Sequence, residues 1–398
     1  MVAQQTAAHN VGPLGLIAMQ GCLDLGEKVN AHLNLWRHNP ELADIPVYAP
    51  LDPERDDYMI RANCIRFSNG EGKSNITETV RGYDLYLLCD IGNHGVTYPM
   101  YGRDVPMSPD DHFQDLKRII AAAGGKARRI SVIMPMLYES RQDRRHSRES
   151  LDCALALQEL ERMGVDNIIT FDTHDSRVQN AIPLCGFESI YPTYQLFKGL
   201  LRAVPDLSID ADHLSVVSPD LGGMGRNIYY ATMLELNMGM FYKRRDYTRV
   251  VDGRNPIIAH EYLGEDVSGK DVIIADDMLA TGDSLLEVAT ELKRRGANRI
   301  ICIITFAMFT QGSEKFTEAV KNGIIHKVIS TNLTYTAPEI KTQEWFEQVD
   351  MSKYIAYMIA TLNQDHTISH LLSPAERIQK ILKKHREGQK RSEQLTML

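Results

Sequence analysis

Short, uninterrupted apolar runs alternate with amphipathic stretches along most of the chain, and this alternation limits the fold more than any other feature. Residues 14–19 (LGLIAM), 85–89 (LYLLC), 131–134 (SVIM) and 168–171 (IITF) read as strands. Between them, 23–36, 110–123 and 151–163 have the spacing of helices that bury one face, as with Phe113, Leu116, Ile119 and Ile120. A second set follows. Its strands are 214–217 (LSVV), 238–242 (MGMFY), 272–275 (VIIA), 300–304 (IICII) and 325–329 (IHKVI). One helix opens near Arg226, and another over 284–295 aligns Leu285, Val288, Ala289 and Leu292. A strand that is apolar throughout must be covered on both faces, and a parallel sheet flanked by helices does this. The expectation is an α/β protein of two domains, 11–195 and 196–350, with 352–372 joining the first. The remainder, 373–398, is a basic tail with seven cationic residues against three acidic ones. Ile378, Ile381 and Leu382 give it a weak helical stripe, and a solvated terminal helix is expected.

Charge narrows the partners. The formal net charge is -8 over 398 residues, so nothing global attracts nucleic acid or an anionic membrane. Anionic ligands must be held by local sites. No apolar stretch is long enough to span a bilayer, and the opening MVAQQTAAHN lacks a basic n-region, so a soluble cytoplasmic protein is expected. The six cysteines form no CxxC pair and several lie in apolar runs, which reads as free buried thiols.

Five segments at strand ends carry chemistry. In 272–284 (VIIADDMLATGDS) a strand runs into two carboxylates, a short loop and a helix. Asp276 and Asp277 suit two vicinal sugar hydroxyls, Thr281 and Ser284 are hydroxyl donors, and the helix start suits a phosphate. Together they describe a pentose-phosphate cradle; the plain alternative is an acidic strand-to-helix turn. In 218–226 (SPDLGGMGR) a Gly-Gly turn allows close approach of an anion, and Asp220 suits Mg²⁺ beside substrate phosphates. The basic run 140–148 (SRQDRRHSR) is either a solvated loop or a polyphosphate clamp. His174, flanked by Asp172 and Asp175, is a metal or polar-site candidate. Lys243-Arg-Arg245 ends a strand and can neutralise charge on a transferring phosphoryl group.

With Arg66-Phe-Ser-Asn-Gly-Glu71, these segments in this order and spacing resemble the ribose-phosphate diphosphokinases, or phosphoribosyl diphosphate synthetases, from about Gly15 to Leu372. The resemblance implies two phosphoribosyltransferase-like domains with parallel sheets flanked by helices and the active site between them. It implies ATP held by Phe67, Asn69 and Glu71, supplied by a neighbouring subunit, and by Arg141 and Gln142. It further implies Mg²⁺ on His174 and Asp220, and transition-state stabilisation by Lys243 and Arg245. Ribose 5-phosphate would lie on Asp276, Asp277, Thr281, Gly282, Asp283 and Ser284. The assembly implied is a homo-oligomer of dimers, which family members commonly build into hexamers.

The chain departs from the family pattern at several places. Ala280 stands where the family has Asp, and Asp283 where it has a small residue, usually Gly. An inward Asp283 carboxylate would repel the sugar phosphate, so its side chain is expected to turn outward and accept a backbone N–H in the helix's first turn. Asn69 replaces an Asp. The stretch 92–110 is longer than the family's connection, and the tail from Ser373 is extra. Two readings follow: an active diphosphokinase, or a non-catalytic paralogue that binds nucleotide or regulates an active synthetase. A different sugar phosphate is a third.

Overall fold

The computed structural model describes residues 11–43, 55, 57–145, 147–245 and 257–396, the side chains of 243–245, 257–260, 370 and 390–396 apart. The chain divides into two compact units. One comprises Met1–Tyr191, Asn332–Tyr335 and Asp350–Leu372; the other comprises Pro192–Thr331, Thr336–Val349 and Ser373–Leu398.

The first unit holds β1 (Leu14–Ala18), β2 (Ala62–Arg66), β3 (Gly72–Ile76), β4 (Asp84–Leu88), β5 (Thr97–Met100), β6 (Arg103–Pro106), β7 (Arg129–Ile133), β8 (Asn167–Phe171) and β9 (Gly186–Ile190). Five of them form a parallel sheet in the order β1-β4-β7-β8-β9. Outside β1, among the described residues, lies one parallel bridge, Leu16 to Met59, with Leu16 N–H donating to Tyr58 O and Ile60 N–H to Leu16 O, both at 2.8 Å. The pairs β2–β3 and β5–β6 are antiparallel hairpins. The helix Pro109–Ala123 starts in a reciprocal cap, where Ser108 Oγ accepts from Asp111 N–H and Asp111 accepts from Ser108 N–H. The late segment Asp350–Leu372 is fastened here by polar groups as well as packing. Asp84, fully buried at the start of β4, accepts both prongs of Arg129 (2.8 and 2.7 Å) and Asn363 Nδ2 (2.9 Å). Trp36 stacks on Tyr357 at 4.3 Å.

The second unit holds β10 (Leu214–Ser218), β11 (Met238–Arg245), β12 (Ile257–Leu263), β13 (Asp271–Leu279), β14 (Ile300–Ala307), β15 (Lys327–Thr331) and β16 (Phe346–Val349). Their order is β12-β11-β10-β13-β14-β15-β16, parallel except for β11–β12. Val217, Ile274, Cys302 and Ile304 are buried with Phe316 in its core.

Three expectations change. β11 continues past Tyr242 to Arg245, because β12, which the apolar pattern does not announce, pairs with it antiparallel (Lys243 opposite His260). β13 continues to Leu279 along β14, so Asp276 and Asp277 lie within the strand rather than after it. The terminal helix Ala375–Thr396 is not simply solvated. Ile378 and Leu382 are buried, Gln379 Nε2 donates to Met233 O at 2.9 Å, and His385 Nε2 lies 2.9 Å from Leu207 O. Among the described residues no helix is long and apolar enough to cross a membrane. The six cysteines are unbridged, and burial lifts the Cys153 and Cys302 thiols to about 12.

Candidate active site

In the second unit the sheet order reverses between β10 and β13. The chain leaves β10 through the helix Met224–Leu234 to β11 on one side, while β13 lies on the other. The crevice at the carboxyl ends of two such strands is where open α/β sheets take ligands. β10 stops pairing with β13 at Val217, and β13 overhangs it. Asp276 and Asp277 stand on that overhang, across from the loop after Ser218.

Two neighbouring residues of the helix Met224–Leu234 fasten the crevice. Asn227 is fully buried. Its Nδ2 donates to Ala275 O and Gly223 O, each at 2.8 Å, and its Oδ1 accepts from Ala275 N–H at 3.2 Å. A side-chain amide thus takes the place of the missing strand partner, satisfying groups that would otherwise be left unbonded. Arg226 lies with Nη1 3.4 Å from Asp276 Oδ1 and Nη2 3.8 Å from Asp277 Oδ2. Burial first, then the charge of Asp277, holds the Asp276 carboxyl well above its usual range, with Arg226 pulling the other way. Neither Arg226 nor Asn227 stands out in sequence, because an Arg or Asn in a first helical turn is ordinary and the partners lie about fifty residues away by the spacing of Asn227 and Ala275.

The loop after Ser218 presents Asp220 at the surface, one oxygen accepting Gly223 N–H at 2.9 Å. Beyond β13, Ala280 and Thr281 lead to Gly282 at φ +78°, where a Cβ would lie 2.4 Å from the Phe316 ring. Both the left-handed backbone and the close ring require glycine. Thr281 Oγ1 accepts Asp283 N–H at 3.4 Å, and the helix Asp283–Arg294 begins, with Ser284 exposed in its first turn. Asp283 is exposed at the helix start, and its acceptor role goes to a donor other than the expected backbone N–H. It takes Lys315 Nζ at 2.7 Å rather than a backbone N–H, and Lys315, followed by the Thr281 hydroxyl, holds its carboxyl below the usual range. Lys243 and Arg245 lie on β11; their side chains are outside the described residues.

In the first unit the other candidates fall in two groups. After β7, Glu139 adopts φ +56° and the chain turns back. Gln142 Nε2 donates to Ser150 O (2.8 Å) and Arg144 O (3.2 Å), so its amide closes the loop that exposes Arg141. After β8, Asp172 is buried at φ +40°, Thr173 Oγ1 meets Ser189 Oγ at 2.7 Å, and His174 is exposed. Asp175 is held to about 2, chiefly by Arg177 and also by Arg144, which places the two loops side by side. The remaining group is the β2–β3 turn. Phe67, Asn69 and Glu71 are all exposed there, Phe67 N–H donates to Glu71 O at 2.8 Å, and Asn69 Nδ2 donates to Glu71 Oε2 at 2.8 Å. An Asp at 69 could not make that last bond.

Two phosphoribosyltransferase-type units, each a largely parallel sheet covered by helices, define the class. Residues 14–164 match the N-terminal domain of ribose phosphate pyrophosphokinase, and 194–335 match the phosphoribosyl transferase domain. A ribose-phosphate pyrophosphokinase of Shewanella oneidensis is 30% identical over 312 residues, covering 77% of this chain and 89% of the relative. Ribose-phosphate pyrophosphokinase 1 of Candida albicans is 29% identical over 313 residues, 78% of this chain and 88% of the relative. The crystal structure of phosphoribosylpyrophosphate synthetase from Mycobacterium smegmatis shares the fold, with a TM-score of 0.68 at 21% identity over 88% of this chain and 99% of that one. The chain belongs to the ribose-phosphate pyrophosphokinase family.

Proposed function

We propose that the protein transfers the β,γ-diphosphate of ATP to O1 of ribose 5-phosphate, giving 5-phosphoribosyl 1-diphosphate and AMP for nucleotide synthesis. The observation that carries this reading is the second unit's crevice, where a carboxylate pair on the overhang of β13 faces the Gly-Gly loop after β10, fastened by Asn227 and Arg226. Asp276 and Asp277 accept from the sugar's vicinal hydroxyls. Thr281, Gly282, Ser284 and the helix N-terminus hold the 5-phosphate, with the charge of Asp283 paired to Lys315. Phe67, Asn69 and Glu71, from a second subunit, and Arg141 and Gln142 hold ATP, so the active form is at least a dimer. The first unit thereby serves the nucleotide and the second the sugar phosphate, in the cytoplasm.

Asp220 and His174 are exposed, and Asp220 supplies a hard oxygen donor with its geometry fixed by Gly223 N–H, which suits Mg²⁺ shared with substrate phosphates. Mg²⁺ on these residues would screen the polyphosphate charge. The protein's own task is positioning and charge neutralisation. The O1–Pβ bond forms as the Pα–O–Pβ bridge opens on the β side, AMP keeps the bridging oxygen, and the O1 proton passes to solvent. Lys243, Arg245 and Arg141 neutralise the charge spreading over the β-phosphoryl oxygens.

The test is to incubate the protein with Mg-ATP and ribose 5-phosphate and to identify the products. AMP with phosphoribosyl diphosphate is expected; ADP with a doubly phosphorylated sugar would overturn the reading. Ala280 favours the regulatory paralogue, which would bind Mg-ATP and release no AMP.

A further inference from the structure

Between β4 and the helix Pro109–Ala123 the chain carries the hairpin β5–β6, and its tip is built onto the turn of β2–β3. Tyr101 N–H donates to Ser68 O at 2.9 Å. Met100 covers Gly70 so closely that a Cβ there would lie 2.7 Å from its sulfur, at φ +93°. At the base, Arg66 lies over the Tyr98 ring at 5.1 Å and pairs with Asp115 at 2.6 Å, while Tyr98 OH donates to Asp111 at 3.3 Å. The two turns form one piece, so a ligand held by both meets a surface already ordered.

The residue at the tip is unexpected. Met100 pairs with Arg103, and the two residues between, Tyr101 and Gly102, have φ of +47° and +74°. This is a two-residue type I′ turn, in which Asn, Asp or Gly is favoured at the first position and a bulky residue is strained. Burial does not compensate, since Tyr101 is 78% exposed. Next to it Phe67 is 53% exposed. Two aromatic side chains on adjoining, mutually fastened turns project into solvent, with Ser68, Asn69 and Glu71 between them.

We infer that Tyr101 is a second nucleobase contact, and that the base of ATP lies against the aromatic surface which Phe67 and Tyr101 make together. This rests on the assignment of the Phe67 turn to ATP. The patch is two rings set among polar groups, far short of the roughly 1,000 Å² of a stable protein interface, and it matches the size of one planar heterocycle.

Tyr101→Asn tests it, because Asn is the residue such a turn favours. The hairpin should keep its Tm or gain, while the Kd for Mg-ATP by calorimetry and the KM for ATP rise on the order of 10-fold. The kcat and the KM for ribose 5-phosphate should stay within about twofold, and Tyr101→Phe should bind ATP like the natural protein. Phe67→Ala is the reference. If it weakens ATP binding and Tyr101→Asn does not, the inference fails alone. If neither does, the assignment of the turn to ATP fails with it. A changed sedimentation coefficient with unchanged ATP affinity would place the ring in a subunit contact and overturn the inference.

Discussion

The two units contain the same switch point put to opposite uses. In the first, the order reverses between β1, which continues to the bridge at Met59, and β4; in the second, between β10 and β13. A carboxylate stands at each. In the first unit it is Asp90, two residues after β4, and the chain itself fills the place beside it. Asp90 accepts Gly92 N–H (2.9 Å), Thr334 Oγ1–H (3.0 Å) and Tyr335 N–H (2.8 Å), and is 3% exposed. In the second, Asp276 keeps 32% of its side chain in solvent, accepts Asp277 N–H at 3.0 Å and meets one guanidinium at 3.4 Å. One carboxylate is saturated by protein donors and locks the segment Asn332–Tyr335 in place. The other is held near an unfavourable charge and suits an incoming donor. Topology creates both crevices; what fills them decides which one binds.

The largest expected effect lies at the end of β11. After its switch point the second unit's β11 runs eight residues to Lys243 and Arg245, whereas among the described residues its counterpart in the first unit is a single bridge. If that extension exists to deliver cations, Lys243→Ala should lower kcat on the order of 10³-fold with little change in ATP affinity, measured by turnover and calorimetry. Near-normal turnover would reduce β11 to architecture.

Next comes Asp276→Asn. It removes a charged acceptor for a sugar hydroxyl and relieves the repulsion from Asp277. The kcat/KM for ribose 5-phosphate should fall about 100-fold while urea stability holds or rises. A loss of stability without loss of activity would make this crevice as structural as the first.

How much of this difference was written in the sequence follows from the range of the interactions. The apolar strands 272–275 and 300–304 announce themselves because a buried parallel strand is apolar on both faces. β2, β3, β5 and β6 do not, since each exposes one face and alternates weakly with polar residues. β12 (IIAHEYL) is an edge strand mixed with charge. The candidate carboxylates were legible because they flank a strand and a turn. Asp90 was not, because its partners Thr334 and Tyr335 are 244 and 245 residues away and nothing local marks them. The same holds for Asn227 and Ala275. Nothing local marks Tyr101 either, because a lone aromatic in a connecting segment is ordinary until its neighbour is known.

Asp90 offers a smaller effect, in stability alone. Burial lifts its carboxyl to about 6, against the hydrogen bonds from Gly92, Thr334 and Tyr335. The folded protein therefore holds this proton more tightly than the unfolded chain, whose Asp titrates near ~3.9. Stability from this group is fully present below pH ~4 and is lost as pH rises through 6. Asp90→Asn cannot titrate, and its amide nitrogen would face a donor. Its deficit against the natural protein should widen by about 2 kcal/mol between pH 7 and pH 4, followed by urea unfolding. A pH-independent deficit would mean that Asp90 stays ionised and that the lock is purely a matter of hydrogen bonds.

The smallest effect concerns Asp283, the anion beside the expected 5-phosphate. Its carboxylate reaches Lys315 at 2.7 Å, and both side chains are about half exposed at 54% and 49%. Exposed pairs of this kind contribute little because water screens them and two long side chains must be held still. If the carboxylate points away from the sugar phosphate, Asp283→Gly should leave the KM for ribose 5-phosphate and the Tm unchanged within error, and added salt should not alter that outcome. An inward carboxylate would behave differently. Removing it would tighten sugar-phosphate binding, most at low ionic strength, where charge repulsion is least screened. Ala280→Asp separates the two neighbours. It adds a carboxylate at the start of the same loop, where the chain departs from its family, and should change kcat more than KM. Tight ribose 5-phosphate binding that appears only in Asp283→Gly would make the second unit's crevice a closed one after all, and the natural protein a partner of a synthetase rather than a synthetase.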